Sequence, residues 1–376
     1  MKSLIQTSPE ASTWNLFLRR DHPPKLDLQG ERSRALLAGK RVLVTGAGGS
    51  IGSALARCIA QTNVRELVLL DSSEGALYDV QQALAELKGA APHVSVLASV
   101  CDPAAIASLF RQHRPEIVFH AAAFKHVPLM ESNPFAAVAN NALGTHILAE
   151  AAAKYRCEQI VMVSTDKAVA PSSIMGASKR IAELILLAPR ANAADAIVMK
   201  AVRLGNVLGS SGSVVPLFQR QIAQGGPVTV SHPDARRYFM TLTEAVEALL
   251  SALSPDSPPG ISVPELGDPL RILDLAKFLI GPRQVPIVFT ELRPGDKMEE
   301  SLLSPRELYQ EAQTGPLRAV HSPALSSDEL AASLQDLRAA LQQRDLSSLL
   351  QAVQSMVPEY QPGLSLREKY SATVTA

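Results

Sequence analysis

Three groups of residues in this chain have the types and spacing to do chemistry. The first is Thr45-Gly46-Ala47-Gly48-Gly49-Ser50-Ile51-Gly52. Gly46, Gly49 and Gly52 are spaced GxxGxxG after an apolar run and before a helical one. Such a loop turns sharply and brings backbone N–H groups and a helix N-terminus against a pyrophosphate. Asp71 follows at the end of the next apolar run, 19 residues past Gly52. A carboxylate there accepts the hydroxyls of an adenosine ribose and repels a 2′-phosphate, which favours NAD and leaves NADP open. The second group is Thr165-Asp166-Lys167. An acid beside a base after the fifth strand suits proton transfer, although a strand-end Asp-Lys pair on the surface is common. Lys167 acts as a base only when neutral, which burial and a nearby cation such as Lys179 would favour. The third is Met175…Lys179, whose i,i+4 spacing puts both side chains on one helix face. Lysine there can hold a ribose, whereas methionine cannot carry a proton.

These residues need a scaffold, and the hydrophobic pattern supplies one. Short apolar runs at Val42–Thr45, Leu67–Leu70, Val94–Leu97, Ile117–His120, Ile160–Ser164 and Ile197–Val202 alternate with amphipathic stretches. The stretches include Ser53–Gln61, Glu74–Lys88, Ala104–Gln112, Ala136–Lys154 and Ala177–Leu187. This predicts an α/β fold, a Rossmann-type doubly wound parallel sheet with helices on both faces. Residues 1–38 read as an N-terminal extension, with a short helix over Leu28–Leu37. Residues 39–203 form the NAD(P)-binding domain and 204–320 a smaller mixed α/β substrate-binding lobe, some of whose segments return to the sheet. Residues 321–376 form C-terminal helices over 325–356 and, from Pro358, a loosely held tail.

Composition narrows the classes. Hydrophobic residues make up 47% of the 376 residues, and Lys+Arg equals Asp+Glu at 36 each. Nucleic acid is not an expected partner, because no basic stripe stands out. Cys58, Cys101 and Cys157 are far apart, and neither they nor the scattered histidines have metal spacing. No apolar window is long enough for a membrane span and Met1–Arg20 has no signal-peptide core, so a cytoplasmic protein is expected.

Further motifs stand in register from about residue 40 to 303. They are Phe119-His120-Ala121-Ala122-Ala123-Phe124-Lys125-His126-Val127-Pro128, Asn140-Asn141-Ala142-Leu143-Gly144-Thr145, Ser164-Thr165-Asp166-Lys167-Ala168-Val169 and Met175-Gly176-Ala177-Ser178-Lys179-Arg180. Arg203-Leu204-Gly205-Asn206, Arg237-Tyr238-Phe239-Met240-Thr241 and Arg293-Pro294-Gly295-Asp296-Lys297 follow. Together they closely resemble the CapD-like polysaccharide-biosynthesis branch of the extended short-chain dehydrogenases/reductases. Activities in that branch are mainly UDP-N-acetylglucosamine 4,6-dehydration, in some members with inversion at C5. Many long members carry membrane spans before this domain, so the chain resembles a free-standing catalytic domain.

The resemblance implies transient oxidation of the sugar at C4, loss of the C5 proton and the C6 hydroxyl, and hydride return to C6. It makes Asp166 the acid for O6, Lys167 the base at C5, and Thr165 a partner of the C4 oxygen. Lys179 holds the nicotinamide ribose, and Met175 takes the place of the usual Tyr, so the C4 hydroxyl proton goes to Asp166 or Lys167. Further cofactor contacts are implied at Ser72, Ser99, Val100, Ala121, Ala122, Ala123, Lys125, Asn140 and Ser164. On the substrate side, Asn206, Arg237 and Arg293 suit a UDP diphosphate, since guanidinium forks match phosphate oxygens. Asp296 suits the uridine ribose, and Val214, Pro216 and Val228 belong to stretches that could form the uracil slot. Lys125 and His126 line a sugar pocket or bridge a loop. Asn141, costly inside an apolar helix, bonds a backbone group or a water near the site and counts among the substrate contacts. Ala98-Ser99 stands where a Gly-Asp pair is usual, Ser211 where a basic residue is, and Asp296 where Glu is. Relatives pair through helices, which puts Ala136–Lys154 and Ala177–Leu187 in an expected homo-oligomer interface. A UDP-sugar epimerase, a dehydratase/5-epimerase and a non-catalytic NAD(P)-binding sensor remain as alternatives.

Overall fold

The structure is a computed structural model, and it describes residues 11–20, 31–189, 197–310, 316–363 and 366. Two short helices, α1 (Ala11–Leu18) and α2 (Glu31–Leu37), precede the first strand. Strands β1 (Arg41–Thr45), β2 (Glu66–Asp71), β3 (His93–Leu97), β4 (Ile117–His120), β5 (Gln159–Thr165) and β6 (Val198–Leu204) then alternate with helices. Those helices are α3 (Ser50–Ala60), α4 (Glu74–Ala85), α5 (Pro103–His113), α6 (Val127–Ser132), α7 (Pro134–Val138), α8 (Gly144–Lys154) and α9 (Ile174–Leu187). The lobe contains β7 (Asn206–Val207), α10 (Val214–Ala223), β8 (Val228–Val230), β9 (Arg236–Arg237) and β10 (Phe239–Met240). After α11 (Leu242–Ser251), β11 (Gly260–Pro264) returns to the sheet, and β12 (Leu270–Arg271), α12 (Ile272–Ile280) and β13 (Ile287–Phe289) rejoin the lobe. The chain continues through β14 (Leu308–Tyr309), β15 (Leu317–His321), α13 (Ser327–Gln343) and α14 (Leu346–Met356).

The main sheet has nine strands in the order β14-β15-β11-β6-β5-β4-β1-β2-β3. From β3 to β11 every pairing is parallel, and β15 and β14 add an antiparallel edge. A parallel sheet must be covered on both faces, and alternation along β1 shows how: Leu43 packs into one core, Val42 and Val44 into the other. A third cluster, centred on Phe218, Val228, Val230, Phe239 and Leu275, holds the lobe together. The expected doubly wound fold is what the chain adopts.

One expectation needs correcting and one refining. The stretch Ala136–Lys154 is helical throughout, as expected, but a π turn at Ala139–Leu143 interrupts the regular helical bonding between α7 and α8. The segment after Pro358 is not loosely held, as far as it is described. Tyr360 and Leu366 are buried in the main core, so the chain there is tied down by apolar burial. Of the helix forecast over Leu28–Leu37, Glu31–Leu37 is helical, and residues 28–30 lie outside the described ones. Among the described residues, no helix is long and apolar enough to cross a membrane.

Candidate active site

Strand order reverses between β1 and β4, which opens a crevice at the carboxyl ends of these strands. The glycine-rich loop lies there. Gly46 has φ +66°, and a Cβ on it would stand 2.6 Å from the Ala122 nitrogen, so only glycine lets the loop after β1 touch the loop after β4. Ser50, Ile51 and Gly52 open α3 and line the cavity, and their N–H groups have no acceptor among the described residues. That is an anion-receptive helix N-terminus. Asp71 sits at the end of β2, where its carboxylate accepts the Gly48 N–H and the Ser73 N–H, each at 2.9 Å. It therefore holds the loop, with lone pairs left for further donors.

The cavity has a volume of about 850 Å³ and runs from this loop to the lobe. Ser164, Thr165, Lys167, Met175 and Lys179 all line it. Lys167 Nζ donates to Asp166 Oδ1 and to Asn206 Oδ1, both at 2.9 Å. The Thr165 hydroxyl donates to the same Asp166 oxygen at 2.9 Å. Asp166 has no exposed surface, and its Oδ2 is buried without a partner among the described residues. It faces the cavity only through Thr165 and Lys167. The N-terminal half of α9 presses against this turn: a Cβ on Gly176 would stand 2.2 Å from the Lys167 carbonyl oxygen. Glycine at that position is thus what brings Met175 and Lys179 beside the Asp-Lys pair.

Lys179 is buried, which pulls its ammonium down to about 8, and Glu183 offsets part of that pull. Lys125 is lowered by burial and by the charge of Lys167. Beneath them runs a chain of buried polar groups. The Thr145 hydroxyl donates to the Asn141 carbonyl at 2.6 Å, so it accepts from His120 Nε2–H at 3.0 Å. His120 Nδ1 then accepts from the Thr45 hydroxyl at 2.7 Å. This makes His120 a neutral Nε2–H tautomer, and burial, then the Lys179 charge, pushes its pKa down to about 3.

The opposite wall belongs to the lobe. Asn206, Val214, Pro216, Arg237, Arg293 and Asp296 line the cavity, with Lys125 and His126 from the β4 loop. Arg293 Nε donates to Asp296 Oδ2 at 2.9 Å. Arg237 is buried and donates to the carbonyls of Arg236 and Met298. Lys125 reaches the Ser210 hydroxyl at 3.5 Å, and Ser50 Oγ accepts the Ser211 N–H at 2.9 Å. The position expected to carry a basic side chain thus ties the lobe to the cofactor loop through its backbone.

Several expected contacts do not line the cavity. Asn141 is fully buried, and its amide clamps both the N–H and the C=O of Phe124 and also donates to Ser178 Oγ. It is a loop clamp, as its bonding to backbone suggested, and not a substrate contact. Val228 packs in the lobe core and so cannot form a uracil slot. Val100 is buried against Gly144, which removes its side chain from the cofactor site. Ala47 and Ala122 lie in the walls behind the loops, Ala47 fully buried, while Ala121 and Ala123 do line the cavity. Ser72 is exposed, Ser99 accepts the Cys101 N–H, and Asn140 donates to Asn141; like Asp71, these three are outside the cavity's lining.

One group escaped the sequence reading. Arg203 has no exposed surface and makes paired bonds to Glu183 (2.9 and 2.8 Å) and Glu307 (2.8 and 2.8 Å). Ser164, next to Thr165, donates to Glu183 at 2.7 Å. The cluster joins β5, α9, β6 and the segment before β14. Its signal in the sequence was Arg203 and Glu183 inside otherwise apolar runs, where an unpaired charge would be too costly.

Residues 42–321 match a family of proteins described as polysaccharide biosynthesis proteins. The chain belongs to this family. Its similarity to other members of the polysaccharide biosynthesis family is extensive. The probable polysaccharide biosynthesis protein EpsC of Bacillus subtilis (strain 168) is 45% identical over 283 residues, which cover 73% of this chain and 47% of that protein. The capsular polysaccharide biosynthesis protein CapD of Staphylococcus aureus is 44% identical over 279 residues, 73% of this chain and 46% of CapD. The chain thus spans about half the length of these two relatives. A UDP-glucose 4-epimerase of Rickettsia canadensis is 34% identical over 285 residues, 73% of this chain and 81% of the epimerase. Among solved structures, Pen from Bacillus thuringiensis superposes with a TM-score of 0.67 at 26% identity, covering 80% of this chain and 98% of Pen. The Thermus thermophilus UDP-glucose 4-epimerase, solved with NAD, gives 0.60 at 25% identity, over 70% of this chain and 90% of that one. These likenesses bear out the resemblance to extended short-chain dehydrogenases/reductases.

Proposed function

We propose that the chain is an NAD-dependent 4,6-dehydratase of a UDP-N-acetylhexosamine, UDP-N-acetylglucosamine first among them, serving surface polysaccharide synthesis. The observation that carries this is the Lys167–Asp166–Thr165 group opening beside Lys179 into the cavity that also holds the glycine loop. Relatives named for capsular and polysaccharide biosynthesis support it, as does a neighbour solved with NAD. The residues fit the cofactor: the free N–H groups of Ser50, Ile51 and Gly52 suit its pyrophosphate, Asp71 its adenosine ribose, and Lys179 its nicotinamide ribose. When bound, NAD supplies reversible hydride acceptance at sugar C4.

The chain's own residues then do the proton work. Lys167 faces the cavity, removes the C5 proton and later returns one to C5, while the proton of the C4 hydroxyl passes to the Lys167–Asp166 pair and leaves with O6 as water. Asp166, bonded to Lys167 at 2.9 Å, exchanges protons with it, so the two act as one acid–base unit. Direct delivery from Asp166 to O6 requires its carboxyl to turn out of its enclosure. Thr165 orients the C4 oxygen, and Asn206 holds Lys167 in place. Arg237 and Arg293 on the lobe wall meet the diphosphate, and Asp296 the uridine ribose. The test is a mass spectrum after incubation with UDP-N-acetylglucosamine and NAD. A product lighter by one water supports the reading. An isomer of unchanged mass supports instead the 4-epimerase reading, which the Rickettsia relative favours and Met175 disfavours. Tight NAD binding with no turnover of any UDP-sugar supports the sensor reading that Met175 motivates.

A further inference from the structure

The N-terminal helix α1 lies on the substrate lobe rather than on the dinucleotide-binding half. Trp14 and Phe17 are buried in the lobe's own cluster. The Phe17 ring meets Phe239 edge-on with centroids 5.8 Å apart and Phe278 at 5.3 Å, while Trp14 meets Phe278 at 6.4 Å. Arg20, just beyond the helix, donates to the carbonyls of Phe239 (3.4 Å) and Leu266 (3.2 Å) and pairs with Glu244. Glu244 is itself engaged, capping the start of α11 through the Thr241 N–H.

These contacts converge on a short path to the acid–base unit. Phe239 lines the cavity and pairs in parallel register with Asn206. The Asn206 N–H donates to the Tyr238 carbonyl at 2.7 Å, and Leu208 N–H to Met240 at 2.8 Å, so β10 carries β7. Asn206 Oδ1 in turn accepts from Lys167 Nζ. The two-residue pairing of β7 with β10 is too short to be rigid by itself, and the Phe17 ring of α1 and the Arg20 guanidinium both hold Phe239 of β10.

We infer that α1 and Arg20 act as a positioning brace: through Phe239 and Asn206 they set the lobe wall and the place of Lys167, without touching the cofactor loop. The consequence for turnover rests on the dehydratase reading, but the mechanical link does not. Hydrogen exchange of the full chain, without ligand, therefore separates the two. In Phe17→Ala and in Arg20→Ala, exchange should quicken at residues 204–208 and 237–241 while residues 41–52, the first strand and its glycine loop, exchange as in the wild type. In kinetics, kcat/KM for UDP-N-acetylglucosamine should fall about tenfold or more while NAD affinity holds, since small misplacements of a reacting group are expensive. Phe17→Leu, which keeps the apolar volume, should stay close to wild type, and Arg20→Ala remains the measurable perturbation if Phe17→Ala does not fold. Exchange unchanged in both segments, or raised equally in the cofactor loop, overturns the brace. Selective exchange in a protein that converts no UDP-N-acetylglucosamine upholds the brace and sinks the dehydratase reading.

Discussion

Lys167 is the residue on which the chemistry turns. Its amine is held between Asp166 and Asn206 and faces the cavity, so removing it should silence the reaction without loosening the glycine loop far along the same crevice. Lys167→Ala is expected to lower kcat by at least about a hundredfold, the usual weight of a general base, with NAD affinity retained in a fluorescence titration. Near-normal turnover of that variant would remove Lys167 from the mechanism. Lys179 makes a pH prediction. Its ammonium is lowered from the ordinary lysine value to about 8, so it loses its charge as pH rises through 8. Cofactor affinity should weaken above about pH 8 if Lys179 binds ribose as a cation. The same shift means that the unfolded chain holds this proton more tightly, so the contribution of Lys179 to stability rises between about pH 8 and the ordinary lysine pKa. An affinity flat from pH 7 to 10 would contradict the assigned role.

At the scale of elements, β5, α9 and β6 are locked by Arg203 between Glu183 and Glu307. Removing one partner of a buried pair strands the others, so Arg203→Met should cost about 3–5 kcal/mol in urea unfolding. Arg180 is buried in the same cluster and pairs with both carboxylates, so replacing Arg180, Arg203, Glu183 and Glu307 together by apolar residues should cost less than the single change. Glu307 adds an acid limit: its pKa is held down to about 2, chiefly by Arg203 acting against burial, so its stabilisation is lost as pH falls from the usual carboxylate range toward 2. Elements were the most legible level of this sequence. Buried runs such as Val42–Val44 and Leu67–Leu70 announce parallel strands, and Gly46 and Asp71 mark the cofactor loop between them. The π turn at Ala139–Leu143 was not legible, because it arises where Asn141 turns inward to clamp Phe124, a contact between residues 17 positions apart. The misreading of Val228 has a similar cause, since an apolar residue near a site looks alike whether it lines the cavity or fills the core behind it.

Across the whole molecule, the C-terminal helices decide which surfaces remain free. Every residue from Ile174 to Leu186 of α9 is buried within the single chain, and α14 packs against α9 and α7. The expected subunit interface through α9 is therefore covered by the chain itself, while α8 keeps exposed positions such as Glu150 and Lys154. Sequence periodicity showed that α9 has apolar faces but not that residues far beyond it would cover them. Deleting residues 322–376 should uncover α9 and drive self-association, which light scattering would register as a rise in mass. A truncated chain with the same number of copies per particle as the full chain, and an unchanged melting temperature, would show that α14 is dispensable cover. The lobe and the sheet meet over one cavity, and the chemistry assigned to that cavity has a direct isotopic signature. The wild-type protein, incubated with UDP-N-acetylglucosamine and NAD in deuterated water, should give a 4-keto-6-deoxy product carrying deuterium at C5 by NMR. Lys167→Ala should give none. An unlabelled C5, or a recovered sugar that still has its C6 hydroxyl, would contradict the account.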